Sequence, residues 1–361
     1  MKEEKIFGVD ELWQTLKKRK TVLMYGTGNG ADKILCELDR RGIRCDGFFA
    51  SDGFVRDRYF HGKRVMSFDE AEEKFGDFTV LMAFGSARDE VLANVKRIMA
   101  RHEFFAPDVP VASGSVFDAD FYNANEKSIG EARELFEDEA SVQTFDNVIK
   151  YKISGDVKYL FDVETPEQNA LGLLGGGYTA YIDCGAYNGD TVGKILDLYK
   201  SINRVAAFEP AKKPFEKLTA CCGGYPNVTF KLFNACVSDK NETRLISDGG
   251  GRGSQIGADQ SRSGAKTREI NCVTVDSAVN YKDEKLLIKY DVEGEELAAL
   301  RGSSEVIKNN FTELIVSLYH KSEDIFVLPK AVKTILPDSR LYLRKLPGLP
   351  AWDVNLYVCS R

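Results

Sequence analysis

A chain of 361 residues exceeds one ordinary domain, and 43% hydrophobic with 11% aromatic content is enough for sizeable cores and excludes a disordered polymer. The net charge of −6, with both signs interspersed, leaves no basic footprint for nucleic acid or an anionic membrane. No run reaches the ~20 apolar residues of a membrane span. Met1-Lys-Glu-Glu-Lys5 lacks a signal-peptide pattern, and the eight cysteines include no C-x-x-C pair, so a cytoplasmic protein with reduced thiols is expected.

In chain order, Val9 to Lys18 has helical spacing and Thr21 to Tyr25 reads as a buried strand. Gly26-Thr-Gly-Asn-Gly-Ala31 follows, then a helix over Asp32 to Arg41 and a strand over Arg44 to Ala50. Thr79 to Phe84 is a third strand, with helical segments at Asp69 to Phe75 and Asp89 to Arg101. Residues 1–110 therefore read as a Rossmann-like α/β domain. Its glycine loop could bind NAD, a nucleotide-sugar or nothing. The acid expected at the end of the second strand is missing at Phe49-Ala50, with Asp52 displaced beyond it.

Residues 111–163 carry acidic helical patterning, at Glu131 to Phe136 and Val142 to Tyr151, and read as a helical connector. From 164 to 361 strands and helices alternate again. Strand patterns at 178–183, 204–209, 228–233, 268–275, 286–290 and 313–319 are followed by a hairpin, Arg340 to Lys345 with Asn355 to Cys359. Asp276 reads as an N-cap, and Gly249 to Gln255 as either a mobile flap or a surface insertion. The fold class is α/β: a doubly wound sheet with an antiparallel edge, preceded by the smaller Rossmann-like domain.

The richest stretch is Tyr181-Ile-Asp-Cys-Gly-Ala-Tyr-Asn-Gly-Asp-Thr191. A strand ending in Asp183, a turn with Gly185 and Gly189, and a helix from Thr191 would bring backbone N–H groups up to a nucleotide-like ligand. Glu209 closes the next strand, where a carboxylate takes the hydroxyls of a ribose. Asn234, Ala235 and Ser238 follow the third strand, where an adenine could sit. Two further strands end at Asp291-Val-Glu293 and at His320, on the side where open α/β sheets bind ligands.

These residues, with Phe208-Glu-Pro210, Ala235 to Asp239, Ile288-Lys-Tyr-Asp-Val-Glu-Gly294 and Ser317-Leu-Tyr-His320, resemble the FkbM-type methyltransferases over roughly residues 150–361. The combination of Gly-Asp-Thr in the first motif with Asp-Val-Glu-Gly in the later one carries most of the resemblance. Glu295 stands where that family commonly has Ala, and Cys184 where it has an aliphatic residue. The resemblance implies a class I methyltransferase fold and S-adenosylmethionine as cofactor, bound by Asp183, Gly185, Ala186, Gly189, Asp190, Thr191, Glu209, Asn234, Ala235 and Ser238. It also implies methylation of a hydroxyl on a sugar, glycan or related small molecule. His320, with an ordinary pKa near 6.5, suits a general base, with Asp291 and Glu293 orienting it or the acceptor. Alternatively Asp291 and Glu293 hold a divalent cation. The competing reading is a nucleotide-sugar- or NAD-binding protein centred on the N-terminal domain, with a non-catalytic second domain.

Overall fold

The structure is a computed structural model and describes residues 5–55, 58–110, 114–247 and 267–360. The segment Gly249 to Gln255 lies outside these residues.

Six strands build the first sheet: β1 (Val22–Tyr25), β2 (Gly47–Phe49), β3 (Tyr59–Phe60), β4 (Lys63–Met66), β5 (Thr79–Met82) and β6 (Phe104–Phe105), in the order β3-β4-β2-β1-β5-β6. All pairings are parallel except the β3–β4 hairpin at one edge. β1 and β5 are buried along their whole length, as apolar runs covered on both faces must be. The first glycine loop is consumed by packing. A Cβ on Gly26 would stand 2.5 Å from the Phe84 ring, and one on Gly30 would stand 2.3 Å from the Ala83 carbonyl. Both glycines thus serve the close approach of the Asn29–Arg40 helix to the end of β5.

The connecting segment forms two long helices, Ala119–Arg133 and Glu139–Ser154. The first begins well before the acidic patterning at Glu131 to Phe136, because Asp118 accepts from the Phe121 N–H and caps it. The second is seated on the C-terminal hairpin: Ser141 Oγ accepts from the Leu343 N–H at 2.9 Å, and Arg344 pairs with Asp138. A contiguous apolar core runs from Leu23 and Val80 through Phe145 and Ile149 to Ile288 and Val316, so both sheets pack against this helical layer.

The second sheet holds β7 (Ala180–Cys184), β8 (Arg204–Phe208) and β9 (Thr229–Phe233). A small three-stranded sheet follows, made of β10 (Cys236–Val237), β11 (Glu242–Ser247) and β12 (Thr267–Val273). β13 (Lys285–Tyr290), β14 (Phe311–Ser317), β15 (Arg340–Lys345) and β16 (Val354–Cys359) complete the large sheet, ordered β15-β16-β14-β13-β7-β8-β9. Only β16 runs antiparallel to its neighbours on both sides, closing the edge as the C-terminal hairpin pattern predicts. Chain order reverses between β7 and β13, and that switch point is where an open sheet leaves a crevice. Asp276 caps a different helix from the one expected. Thr274 caps its own short helix, whereas the Asp276 carboxylate accepts from the Glu305 and Val306 N–H groups at the start of Ser304–Lys308. The helix Asp324–Ile335 has no counterpart in the sequence reading, which Pro329 in its middle discourages.

Candidate functional site

A cavity of about 420 Å³ opens at the carboxyl ends of β7, β8, β13 and β14. Its walls include Gly185, Asp190, Thr191, Glu209 and Ala235 on one side and Asp291, Glu293 and His320 on the other. Eight of the residues singled out in the sequence thus face one space.

The turn after β7 is dictated by crowding at the switch point. Gly185 has φ +92°, and a Cβ there would lie 1.9 Å from the Asp291 carbonyl oxygen, so only glycine lets β7 and β13 end side by side. Gly189, with φ +88°, packs against Leu218 and Cys221 of the Lys212–Cys222 helix; a Cβ would stand 3.0 Å from Cys221 Cβ. Ala186 is buried in the core beside Leu218. Asp190 and Thr191 open the Asp190–Leu198 helix and line the cavity at its positive end.

Glu209 is buried at the end of β8, and the backbone fixes its carboxylate. Tyr187 N–H donates to Oε2 at 2.9 Å and Ala211 N–H to Oε1 at 2.6 Å. Asn234 does not reach the cavity. Its amide donates to the carbonyls of Glu209 and Pro210, so it holds the loop that aims Glu209. Ser238 is also turned away, because pairing of β10 with β12 carries the chain under Gly302, whose Cβ would lie 2.0 Å from the Ser238 carbonyl. The apolar wall beyond β9 is Ala235, Cys236 and Val237, with Phe208 and Pro210.

Asp183 is expected to face a ligand, but the structure seals it completely. It accepts from the Tyr181 hydroxyl at 2.9 Å, and Lys289 Nζ stands 3.7 Å from Oδ1, an oxygen with no hydrogen-bond partner. Burial raises its pKa against the opposing pull of Lys289. Lys289 points from β13 between two carboxylates and donates to Asp291 Oδ2 at 3.1 Å. Tyr319 O–H donates to Asp291 Oδ1 at 3.0 Å. Burial would push Asp291 up, but the Lys289 ammonium and His320 hold it below the usual carboxylate range.

His320 lies beneath this floor and is 1% exposed. Its Nε2 is 3.5 Å from Asp291 Oδ1 and 3.7 Å from Glu293 Oε2. On the other side, Nδ1 is 2.9 Å from Glu296 Oε1, an ion-pair distance that is not aligned as a hydrogen bond. Burial alone would lower the imidazole, yet the carboxylates of Glu296, Asp291 and Glu293 outweigh it and push it up to about 9. The surroundings therefore differ from those of an ordinary histidine near 6.5 and favour the imidazolium at neutral pH. Asp324, close behind, is pushed up to about 7 by burial and by the Glu296 charge.

Glu296 escaped the sequence reading because an acid in the first turn of a helix looks like a dipole partner. It is 1% exposed, and the same Oε1 accepts from the Val292 and Gly294 N–H groups, bracing the loop in which Glu293 holds a left-handed φ of 56°. Lys289 did leave a signal, being a lysine inside the apolar run Leu286-Leu-Ile-Lys-Tyr290. Among the described residues no group of three His, Cys, Asp or Glu side chains is arranged to hold a metal ion, and no helix is long and apolar enough to cross a membrane.

Comparison with known proteins agrees with this geometry. The family model described as "Methyltransferase FkbM domain" matches residues 183–342. None of the curated proteins searched matches the chain. Among solved structures, the methyltransferase FkbM from Methylobacillus flagellatus KT is 20% identical, with a TM-score of 0.70 over 96% of this chain and 92% of that one. The two-sheet fold therefore recurs along nearly the whole chain. An rRNA methylase from Streptococcus thermophilus (11% identity, TM-score 0.34, 54% of this chain and 96% of that one) is far more distant. SMU.1697c from Streptococcus mutans in complex with SAH is equally remote (11% identity, TM-score 0.35, 54% and 97%). The doubly wound sheet with its crevice at the β7–β13 switch point has the class I methyltransferase fold, and residues 183–342 of this chain match the FkbM methyltransferase domain.

Proposed function

We propose that the protein transfers a methyl group from S-adenosylmethionine to a hydroxyl of a sugar, glycan or related hydroxylated metabolite. The observation that carries this reading is the single cavity shared by Glu209 and by the Asp291–Glu293–His320 cluster.

The donor set fits the cofactor. Glu209, held by two backbone N–H groups, offers a carboxylate to a ribose diol. Ala235, Cys236 and Val237 offer an apolar wall to a purine, and Asp190 and Thr191 lie at the amino-acid end. When bound, S-adenosylmethionine supplies an electrophilic methyl on a sulfonium. Asp183 stands behind Lys289 without reaching the cavity. Gly189, Ala186, Asn234 and Ser238 are supports for the pocket and not contacts.

The chain's own part in the chemistry is to hold the acceptor hydroxyl and take its proton. Glu296 faces Nδ1 of His320, so its charge favours the tautomer with the proton there and leaves Nε2 as the acceptor toward the cavity. A pKa of about 9 makes the neutral base scarce at pH 7 and strong when it forms. Asp291 and Glu293 then stabilise the imidazolium that results. Both oxygens of Asp291 already accept hydrogen bonds, one from Lys289 and one from Tyr319, which favours this reading over a divalent cation held by Asp291 and Glu293. At the N-terminal glycine loop, Gly26 and Gly30 serve packing against Phe84 and Ala83 while Gly28 stands in open space, and the acid that would take a ribose is missing at Phe49-Ala50, which gives less support to a dinucleotide-binding protein centred there.

Calorimetry tests the cofactor half: S-adenosylmethionine should bind and NAD should not, with binding lost in Glu209→Ala. Binding of NAD that a Gly28 substitution abolishes would favour the competing reading.

A further inference from the structure

Trp352 is one of few large apolar side chains left in the open among the described residues, at 39% exposure, and it lines the same cavity as Glu293 and His320. It sits in the loop joining β15 to β16, and that loop is clamped by the other half of the chain. Ser86, in the loop after β5, exchanges two backbone hydrogen bonds with Leu349, at 2.7 and 3.0 Å. Gly85 lies flat against the indole: a Cβ there would fall 2.0 Å from Cζ3 and 2.3 Å from Cε3 of Trp352. From the other flank, Glu164 accepts from the Gly348 N–H and from Lys345 Nζ, both at 3.0 Å. One part of the indole is thus seated on the N-terminal domain, and the remainder faces the cavity.

We propose that Trp352, positioned by Gly85, is the platform on which the pyranose ring of the acceptor stacks, so that the N-terminal domain completes the acceptor site. This rests on the reading of the protein as a sugar O-methyltransferase and narrows the substrate to a six-membered sugar ring. A pyranose has an apolar C–H face and a hydroxyl edge. An indole held rigid at a pocket mouth takes the face at little entropic cost. The carboxylates of Glu293 and Asp353 in the same cavity suit the edge. The arrangement also gives the N-terminal domain a part in the site: its glycine after β5 is where the indole needs room.

The test uses the full chain and a panel of methyl pyranosides and nucleotide sugars. Labelled methyl transfer first identifies which members are accepted. For an accepted sugar, Trp352→Ala should raise the acceptor KM roughly tenfold, as lost ring stacking predicts. Trp352→Phe should recover part of the loss, and Gly85→Ala, which displaces the indole without entering the cavity, should raise KM in the same direction. Affinity for S-adenosylmethionine should not change in any of them. Independently, adding that sugar with S-adenosylhomocysteine should alter tryptophan fluorescence. The only other tryptophan, Trp13, is buried in the N-terminal domain, so the change should vanish in Trp352→Phe. Transfer with unchanged acceptor KM in Trp352→Ala and Gly85→Ala overturns the platform and leaves the methyltransferase reading standing. Transfer to no pyranose in the panel overturns the sugar reading and the platform together.

Discussion

Raising the pH through the range where His320 loses its proton should switch the site on, and the structure sets the scale. The gap between an ordinary histidine at 6.5 and the buried imidazole at about 9 corresponds to about 3 kcal/mol favouring the cation, at about 1.4 kcal/mol per pH unit. At pH 7 roughly one molecule in a hundred then holds His320 neutral, so kcat/KM for the acceptor should climb about tenfold per pH unit and level off near 9. The linkage to stability has the opposite sense. A histidine whose folded pKa is raised stabilises the native state fully below 6.5 and loses that contribution as pH rises through about 9. The stability advantage of the wild type over His320→Gln should therefore shrink across the interval that raises the rate. Only three histidines are present, so NMR of labelled imidazoles gives the titration directly. A His320 resonance titrating near 6.5, with a rate independent of pH between 6.5 and 9, would refute the reasoning.

Glu296→Gln removes the carboxylate beside Nδ1 and should move both the NMR titration and the rate profile to lower pH; an unmoved profile would show that Glu296 does not set the imidazole. Gly185→Ala forces a methyl to 1.9 Å from the Asp291 carbonyl at φ +92°, and denaturant titration should show a loss of about 3 kcal/mol or more. Glu209→Gln keeps the shape but removes the charge, so calorimetric affinity for S-adenosylmethionine should fall roughly 10- to 100-fold. Chelators should leave turnover unchanged, since Lys289 and Tyr319 already satisfy Asp291, and restoration of a lost activity by Mg²⁺ or Mn²⁺ would reverse that view.

Much of the scaffold was legible because its central strands, β1, β5, β7, β8, β13 and β14, are largely apolar runs of four to seven residues. Both sheets, the reversal at Asp183 and Asp291, and the C-terminal hairpin all leave that trace. Periodicity failed where a helix is weakly amphipathic, as in Ala119–Arg133, or carries an internal proline, as in Asp324–Ile335. At the site, strand-end position brings Glu209, Asp291 and His320 to one cavity by topology alone. Asp183, Ala186, Gly189, Asn234 and Ser238 lie outside the cavity lining, because sequence spacing does not say which side of a turn faces the crevice and which meets the next helix. Glu296 and Gly85 were hidden for a related reason. Each matters through a partner distant in sequence, His320 for one and Trp352 for the other.

The measurement that bears most directly on the account is transfer of a labelled methyl group from S-adenosylmethionine to a panel of sugars, comparing wild type with Glu209→Ala and His320→Gln. The account predicts label on a sugar hydroxyl with the wild type, failure of cofactor binding in the first variant, and intact cofactor binding with lost transfer in the second. Wild-type protein that binds no S-adenosylmethionine, or a His320→Gln enzyme with unchanged turnover, would contradict it.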